Sequence, residues 1–262
     1  MRYYSTIGMS VMDFENLAGR VRQELVSGGS DEAWFSLSFT EQLRVVLIMM
    51  RQNISQMLAA EMFKVSQSTI SRIVHRLTPA VRHVLSPQAP ALDQAGVGRV
   101  LLVDGTFIPT GNRPGEGREV EKANYSGKHH MQAVNIQVAA RTDGSLIGVS
   151  TPVPGSRHDS AALHLTGWDT VLKECDWFAD TAYIATNAIT PRKKPWGQQR
   201  SEADKIYNKS VSSIRATIEH TIRHLKEWKI LATGYRGRLR DLPDTIKTIE
   251  LLELYREGII PA

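Results

Sequence analysis

The 262-residue chain contains one cysteine, Cys175, so neither an internal disulfide nor a thiolate metal cluster can be built from it. That fits a reducing compartment. Long apolar runs are missing as well. The longest aliphatic run near the start, Val45–Met50, is far short of the about 20 apolar residues that a bilayer crossing needs, so no membrane association is expected. The opening residues Met1-Arg2-Tyr3-Tyr4-Ser5 lead into no apolar stretch or small-residue cleavage site, and no secretory signal is expected there. Internal repeats and low-complexity tracts are also lacking.

What is present is a chain with 42% apolar and 23% charged residues, enough to build a packed core. Net charge is +5, unevenly distributed. Residues 190–240 hold 13 Lys/Arg against 4 Asp/Glu, and the remainder of the chain is acidic. A basic segment of this kind is either the footprint of a polyanionic partner or simply a solvated charged face.

The first third reads as helical. Met12–Val26 is amphipathic and stops at Gly28-Gly29-Ser30; Ser38-Phe39-Thr40-Glu41 has the form of a capping box opening a second helix. Ile54–Phe63, a tight turn at Lys64-Val65-Ser66 and a helix from Gln67 to about Leu77 together suggest a helix-turn-helix, with Ala59 and Ala60 allowing close approach. Ser66 would cap the last helix. Gln67, Ser68, Thr69 and Arg72 would then lie near its N-terminal end, where polar side chains reach base edges or phosphates. A purely structural three-helix unit has the same pattern.

A Pro/Gly-rich stretch follows, and the expected division is a helical region 1–86, a linker 87–98 and a second domain 99–262. Beyond the linker the period changes. Arg99–Val103 reads as a short strand ending at Asp104. Gln132–Ala139 and Leu146–Ser150 read as a hairpin around Asp143-Gly144, and Trp177-Phe178-Ala179 as a strand ending at Asp180. Helices are expected near Ser160–Lys173, over Ser210–Trp228 and over Thr245–Arg256. The fold class is therefore mixed α/β, preceded by an all-helical part.

Asp104 and Asp180, each expected at a strand end, and Glu219, inside a helix, are hard oxygen donors of the kind that hold Mg²⁺ or Mn²⁺. Two such ions about 4 Å apart support in-line displacement at phosphorus. Arg215, Lys226, Lys193 and Lys194 are the candidates to offset phosphate charge. Taken singly, Glu219 is equally well explained as the partner of Arg215 and Arg223 on a solvated helix face. Lys128-His129-His130 lacks the companions of a zinc site.

Five segments in order carry a resemblance. They are Leu102-Val103-Asp104-Gly105-Thr106; Ser126-Gly127-Lys128-His129-His130 with Asn135-Ile136-Gln137; Pro154-Gly155-Ser156-Arg157-His158-Asp159-Ser160; Ala179-Asp180-Thr181-Ala182-Tyr183; and Arg215-Ala216-Thr217-Ile218-Glu219-His220. Across roughly Val100 to Lys229 the chain resembles the Harbinger-like DDE endonucleases and their bacterial insertion-sequence relatives. The resemblance implies a ribonuclease-H-like catalytic core and metal-dependent cleavage and joining of double-stranded DNA at the ends of a mobile element. It further implies Asp104, Asp180 and Glu219 as catalytic and metal-binding residues, two divalent ions, Mg²⁺ or Mn²⁺, as cofactors, and a homo-oligomer formed on DNA. A bacterial, nucleoid-associated cytoplasmic protein is the corresponding location. In the bacterial relatives a Tyr precedes the Arg and Glu, with a Lys after them; Arg215, Glu219 and Lys226 keep that spacing, while Ser212 stands in the Tyr position. Asp159, with His158, is expected to organise the loop beside the site, with Asp159 or Ser160 as the candidate cap of the next helix. The other readings are a non-mobile DNA-binding protein or a nuclease derived from a transposase; the retained acids argue against loss of catalysis.

Overall fold

A computed structural model describes residues 5–29, 36–94, 96, 98–194, 196, 197 and 199–261, and the backbone alone at 4 and 95. Ser30 of the expected helix stop, Val97 of the linker and Pro195 of the basic segment lie outside the described residues. In chain order the helices are α1 (Tyr4–Ile7), α2 (Val11–Ser27), α3 (Phe39–Gln52), α4 (Gln56–Phe63), α5 (Gln67–Leu85), α6 (Leu92–Gly96), α7 (Arg118–Asn124), α8 (Asp159–Leu165), α9 (Trp168–Leu172), α10 (Glu202–Lys226) and α11 (Leu242–Arg256). The strands are β1 (Val100–Pro109), β2 (Tyr125–Ser126), β3 (Met131–Arg141), β4 (Leu146–Val149), β5 (Val153–Pro154) and β6 (Asp176–Phe178). Two compact units form: Met1–Ala89 together with Leu225–Ala262, and Pro90–His224.

In the first unit, α3 packs on α1, α2 and α5 through Leu43, Val46 and Leu47, all buried. The capping boxes form. Ser10 with Asp13 opens α2, and Ser38 with Glu41 opens α3, each supplying a side-chain acceptor to an otherwise unpaired amide. Between α4 and α5 the chain turns at Lys64, whose φ of 54° ends α4 in the left-handed region. Ser66 then accepts from the Thr69 amide at 3.1 Å and caps α5, while Ala59 and Ala60 are buried where the two helices meet. The helix-turn-helix geometry therefore follows from residues legible in the chain. α5 continues past the expected end near Leu77 to Leu85, through Pro79. Its apolar stripe (Ile70, Ile73, Leu77, Val81, Leu85) stays in phase, so burial outweighs the one hydrogen bond a proline removes.

Residues 225–262 follow a different course from the linear division, which assigns them to a domain spanning 99–262. α11 packs on α5. The buried Trp228 indole donates to Glu253 Oε2 at 3.0 Å, and Arg51 lies over the same ring at 5.3 Å.

The second unit is a mixed sheet with helices, the architecture expected of a ribonuclease-H-like core. β3 is the long central strand. It pairs antiparallel with β1 along one side and with β2, β5 and β4 in succession along the other; β6 joins β1 in parallel. The β3–β4 hairpin turns at Gly144, with φ of 91° and Asp143 Oδ1 accepting from the Ser145 amide at 2.9 Å. The expected helix near Ser160–Lys173 is broken into α8 and α9 by Gly167, at φ 74°. α8 and α9 cover one face of the sheet over Leu101, Val103, Ala139, Ile147 and Trp177.

β1 does not stop at Val103, as the sequence led one to expect, but runs on to Pro109, paired residue by residue with β3, so Asp104 lies within the strand. Asp104-Gly105-Thr106 resembles a turn locally, yet nine consecutive pairings with β3 outweigh local propensity. On β3, Asn135 and Gln137 are fully buried.

Candidate active site

The parallel pairing of β1 with β6 explains why two carboxylates meet. The register aligns Leu102 with Phe178, and two residues further along each chain stand Asp104 and Asp180. Successive side chains alternate across a strand, so a shift of one residue would send Asp104 to the opposite face. Asp180 begins a 3₁₀ turn (Thr181–Tyr183), and its Oδ1 accepts from the Ala182 amide at 2.7 Å. Asp104 Oδ1 accepts from the Gly105 amide at 2.9 Å.

Arg215, on α10, reaches Asp104 Oδ2 at 3.5 Å, with side chains 15% and 19% exposed respectively. Its buried Nε has no acceptor. Burial pushes the Asp104 carboxyl up to about 6; Arg215 opposes the rise, and Asp180 and then Asp159 add to it. The site therefore carries more negative charge than one guanidinium offsets, in surroundings that disfavour ionisation. That balance fits a divalent cation, which would reverse the sign of the local electrostatics. Asp104 and Asp180 offer the hard oxygens, and Mg²⁺ is commonly held by one or two carboxylates with water completing the shell. Among the described residues no group of three or more His, Cys, Asp or Glu side chains is gathered closely enough to hold a metal ion.

Glu219 lies one turn beyond Arg215 on α10 and is exposed. The helix is seated by Val211, Ile218 and Thr221, the last donating to Gly144 O at 2.8 Å. The pairing of Glu219 with Arg215 and Arg223 weighed above is not the arrangement around those arginines: Arg215 turns to Asp104, and Arg223 meets His220 Nδ1 at 2.6 Å. Lys226 ends α10 with its ammonium pKa lowered by burial. Ser212 is exposed.

His158 occupies the N-cap position of α8 without a side-chain cap, and Asp159 is the first helical residue rather than the cap. Asp159 Oδ1 instead accepts from Asn135 Nδ2 at 2.8 Å. A Cβ at Gly105 would fall 2.2 Å from that same oxygen, so only glycine fits beneath it. Asn135, Gln137 and Tyr183 were quoted in the motifs above without a structural role. They form a buried polar chain here, and the signal that could have revealed it is two amides spaced by two in an otherwise apolar strand.

Away from the acids, Arg192 anchors the basic segment. Its guanidinium pairs with Asp204 at 2.9 Å and lies over the Tyr207 ring at 4.5 Å, and its amide donates to Asn208 at 2.7 Å. Lys193, Lys194 and Trp196 are left exposed. On α5, Gln67, Ser68 and Arg72 line an open polar surface with Ser71, His75 and Arg76. Thr69 belongs instead to the cap, its hydroxyl 2.9 Å from Ser66 Oγ.

Residues 103–252 match the family model of the DDE superfamily endonucleases, more than half of the chain. The chain belongs to this family. Residues 35–87 match a second model, the helix-turn-helix of DDE superfamily endonucleases, over the segment containing α3, α4 and α5. Among its relatives, a protein of Streptomyces albus G described as "Putative transposase for insertion sequence element IS112" is 29% identical over 226 residues, covering 86% of this chain and 83% of that protein. A protein of Microchaete diplosiphon described as "Probable transposase for insertion sequence element IS702" is 27% identical over 186 residues, covering 67% and 65%. No solved structure matches the chain. Among the described residues no helix of this DDE endonuclease is long and apolar enough to cross a membrane.

Proposed function

We propose that this DDE endonuclease is the transposase of a bacterial insertion sequence, cutting and rejoining DNA at the element's ends. The observation that carries the reading is the meeting of Asp104 and Asp180 beside Arg215, with excess negative charge in a partly buried setting. Asp104 and Asp180 would hold the divalent ions, with Glu219 of α10 as the third ligand. Mg²⁺ or Mn²⁺ bound there would supply activation of the attacking water or DNA 3′-hydroxyl and stabilisation of the leaving oxygen.

The remaining work falls to the chain's own side chains. Arg215, whose Nε lacks an acceptor, offers a donor to the scissile phosphate while steadying Asp104. The strand and turn holding the two aspartates fix their spacing before DNA arrives. Lys193, Lys194 and Lys226 offset backbone charge on the DNA, and Gln67, Ser68 and Arg72 of α5 meet the element ends, with Thr69 serving the cap that holds them. A homo-oligomer assembled on paired ends is part of this reading, as is a nucleoid-associated cytoplasmic location.

The test is cleavage of a DNA fragment carrying the element's own ends, with Mg²⁺ or Mn²⁺. The parent protein should nick at the ends, and Asp104→Ala, Asp180→Ala and Glu219→Ala should each remove the activity. A fully active Glu219→Ala would withdraw Glu219 from the ligand set; a fully active Asp104→Ala would end the proposal.

A further inference from the structure

Beneath the aspartate pair runs a line of buried hydrogen bonds that the metal chemistry does not use. Tyr183 Oη donates to Gln137 Oε1, Gln137 Nε2 donates to Asn135 Oδ1 at 3.2 Å, and Asn135 Nδ2 donates to Asp159 Oδ1 at 2.8 Å. Tyr183, Gln137 and Asn135 are all fully buried. The direction of the line is fixed by its end. An ionised carboxylate only accepts, so Asn135 must present its NH₂ group, Gln137 must do the same to Asn135, and Tyr183 must donate. Every donor points toward Asp159, and hydrogen bonds in series polarise one another in a low-dielectric interior.

The line is also tied to both aspartates. Tyr183 closes the 3₁₀ turn that Asp180 opens. Gln137 lies opposite Gly105 in the β1–β3 register, and Gly105 follows Asp104. At Gly105 a Cβ would meet Asp159 Oδ1 at 2.2 Å, Asp159 Cγ at 2.7 Å and Gln137 Nε2 at 3.3 Å. Its φ is not left-handed, so glycine is needed here for space rather than for backbone conformation. By strand alternation Gly105, Asn135 and Gln137 share the face opposite the Asp104 side chain. Asp159 thus approaches the site from behind the strand, its carboxylate lying against Gly105, the residue next to Asp104.

We propose that Asp159 is a fourth acid of the site, a positioning residue held by the Tyr183–Gln137–Asn135 relay against Gly105, whose fixed negative charge strengthens divalent-cation binding at Asp104 and Asp180 without ligating the ion. The inference rests on the reading of Asp104 and Asp180 as metal-holding residues. A divalent cation bound at the aspartate pair would be attracted by that added charge. Groups that act on metal ligands from behind typically change metal affinity by about 10–100-fold when removed.

The experiment is calorimetric titration of the full-length protein with Mn²⁺, comparing the parent with D104N, D159N and Y183F. Asp159→Asn keeps the shape and the acceptor for Asn135 but removes the charge. It should weaken Mn²⁺ binding about tenfold, and D104N should abolish it. Tyr183→Phe leaves the carboxylate in place and loosens the relay, so a smaller weakening in the same direction is expected, with near-ultraviolet circular dichroism confirming the fold. A purely structural Asp159 would shift the melting temperature of the metal-free protein and leave Mn²⁺ affinity as in the parent; that result, with D104N still losing binding, overturns the inference. Parent-like affinity in folded Y183F removes the relay from it. If D104N binds Mn²⁺ as the parent does, the metal reading itself fails, and this inference with it.

Discussion

The polar face of α5 and the aspartate site of the sheet are both built from hydrophilic side chains, on opposite plans. On α5, Gln67, Ser68 and Arg72 stand exposed on a helix whose other side is packed, and each reaches solvent independently of the next. At the sheet, Asp104 is paired with Arg215, and Asp159 is tied through Asn135 and Gln137 to Tyr183 in partly buried surroundings. An exposed array can change one residue at a time with small, nearly additive effects, whereas a coupled buried group responds as a unit. On the proposed function, the difference suits a surface that reads a particular DNA end and, separately, a site whose chemistry is indifferent to sequence.

The sharpest way to break this comparison is at Asp104. Asp104→Ala should lower metal-dependent DNA cleavage by on the order of 10³-fold or more, measured on end-containing DNA. The milder Asp104→Asn should abolish cleavage while stabilising the metal-free protein. The folded carboxyl titrates at about 6, above its ordinary 3.8. Its stabilising contribution is therefore complete below about 4 and lost as pH rises through about 6. At pH 7.5 the asparagine variant should gain up to about 3 kcal/mol in urea unfolding without metal, shrinking toward zero near pH 4. A variant equally destabilised at both pH values would contradict the charge argument.

Gly105→Ala tests coupling through packing, because the added methyl collides with Asp159 inside the sheet. A loss of about 1–3 kcal/mol in stability is expected, together with reduced cleavage, although Gly105 carries no functional group. On the exposed side, Ser66→Ala removes the cap of α5 and should cost about 1 kcal/mol, read as a lower melting temperature with cleavage chemistry intact. Arg72→Ala should weaken binding to the element ends by about 1–3 kcal/mol if it reads a base edge, relaxing specificity at that position. The smallest change is expected from Lys193→Ala with Lys194→Ala. It should reduce the salt dependence of DNA binding by a slope of about 1–2 without altering sequence preference; an unchanged slope removes these lysines from the interface.

Much of this was legible in the chain before folding. Ser10, Ser38 and Ser66 announce helix starts, and Asp143-Gly144 a hairpin, because caps and tight turns are local chemistry. The ordered motifs around Asp104, Asp180 and Arg215 pointed to one family, and the family model matches over residues 103–252. Other features were not legible, for physical reasons. The extension of β1 beyond Asp104 depends on a partner strand about 30 residues away, which no local propensity encodes. The burial of Asn135 and Gln137 was not legible because their hydrogen-bond partners, Tyr183 and Asp159, arrive from other elements. Likewise Trp228 and α11, read as the tail of the second domain, find their burial against the N-terminal helices.

By itself, then, the sequence determined where helices begin, where the chain turns, which acids are candidates for the site and to which family the protein belongs, since each depends on residue type and short spacing. Tertiary structure alone decided how those acids are held. The parallel register of β1 with β6 sets Asp104 level with Asp180, α10 delivers Arg215, and a glycine without a side chain lets Asp159 close in from behind. Register and close approach are properties of paired elements, and they exist only once distant segments have paid the entropy of coming together.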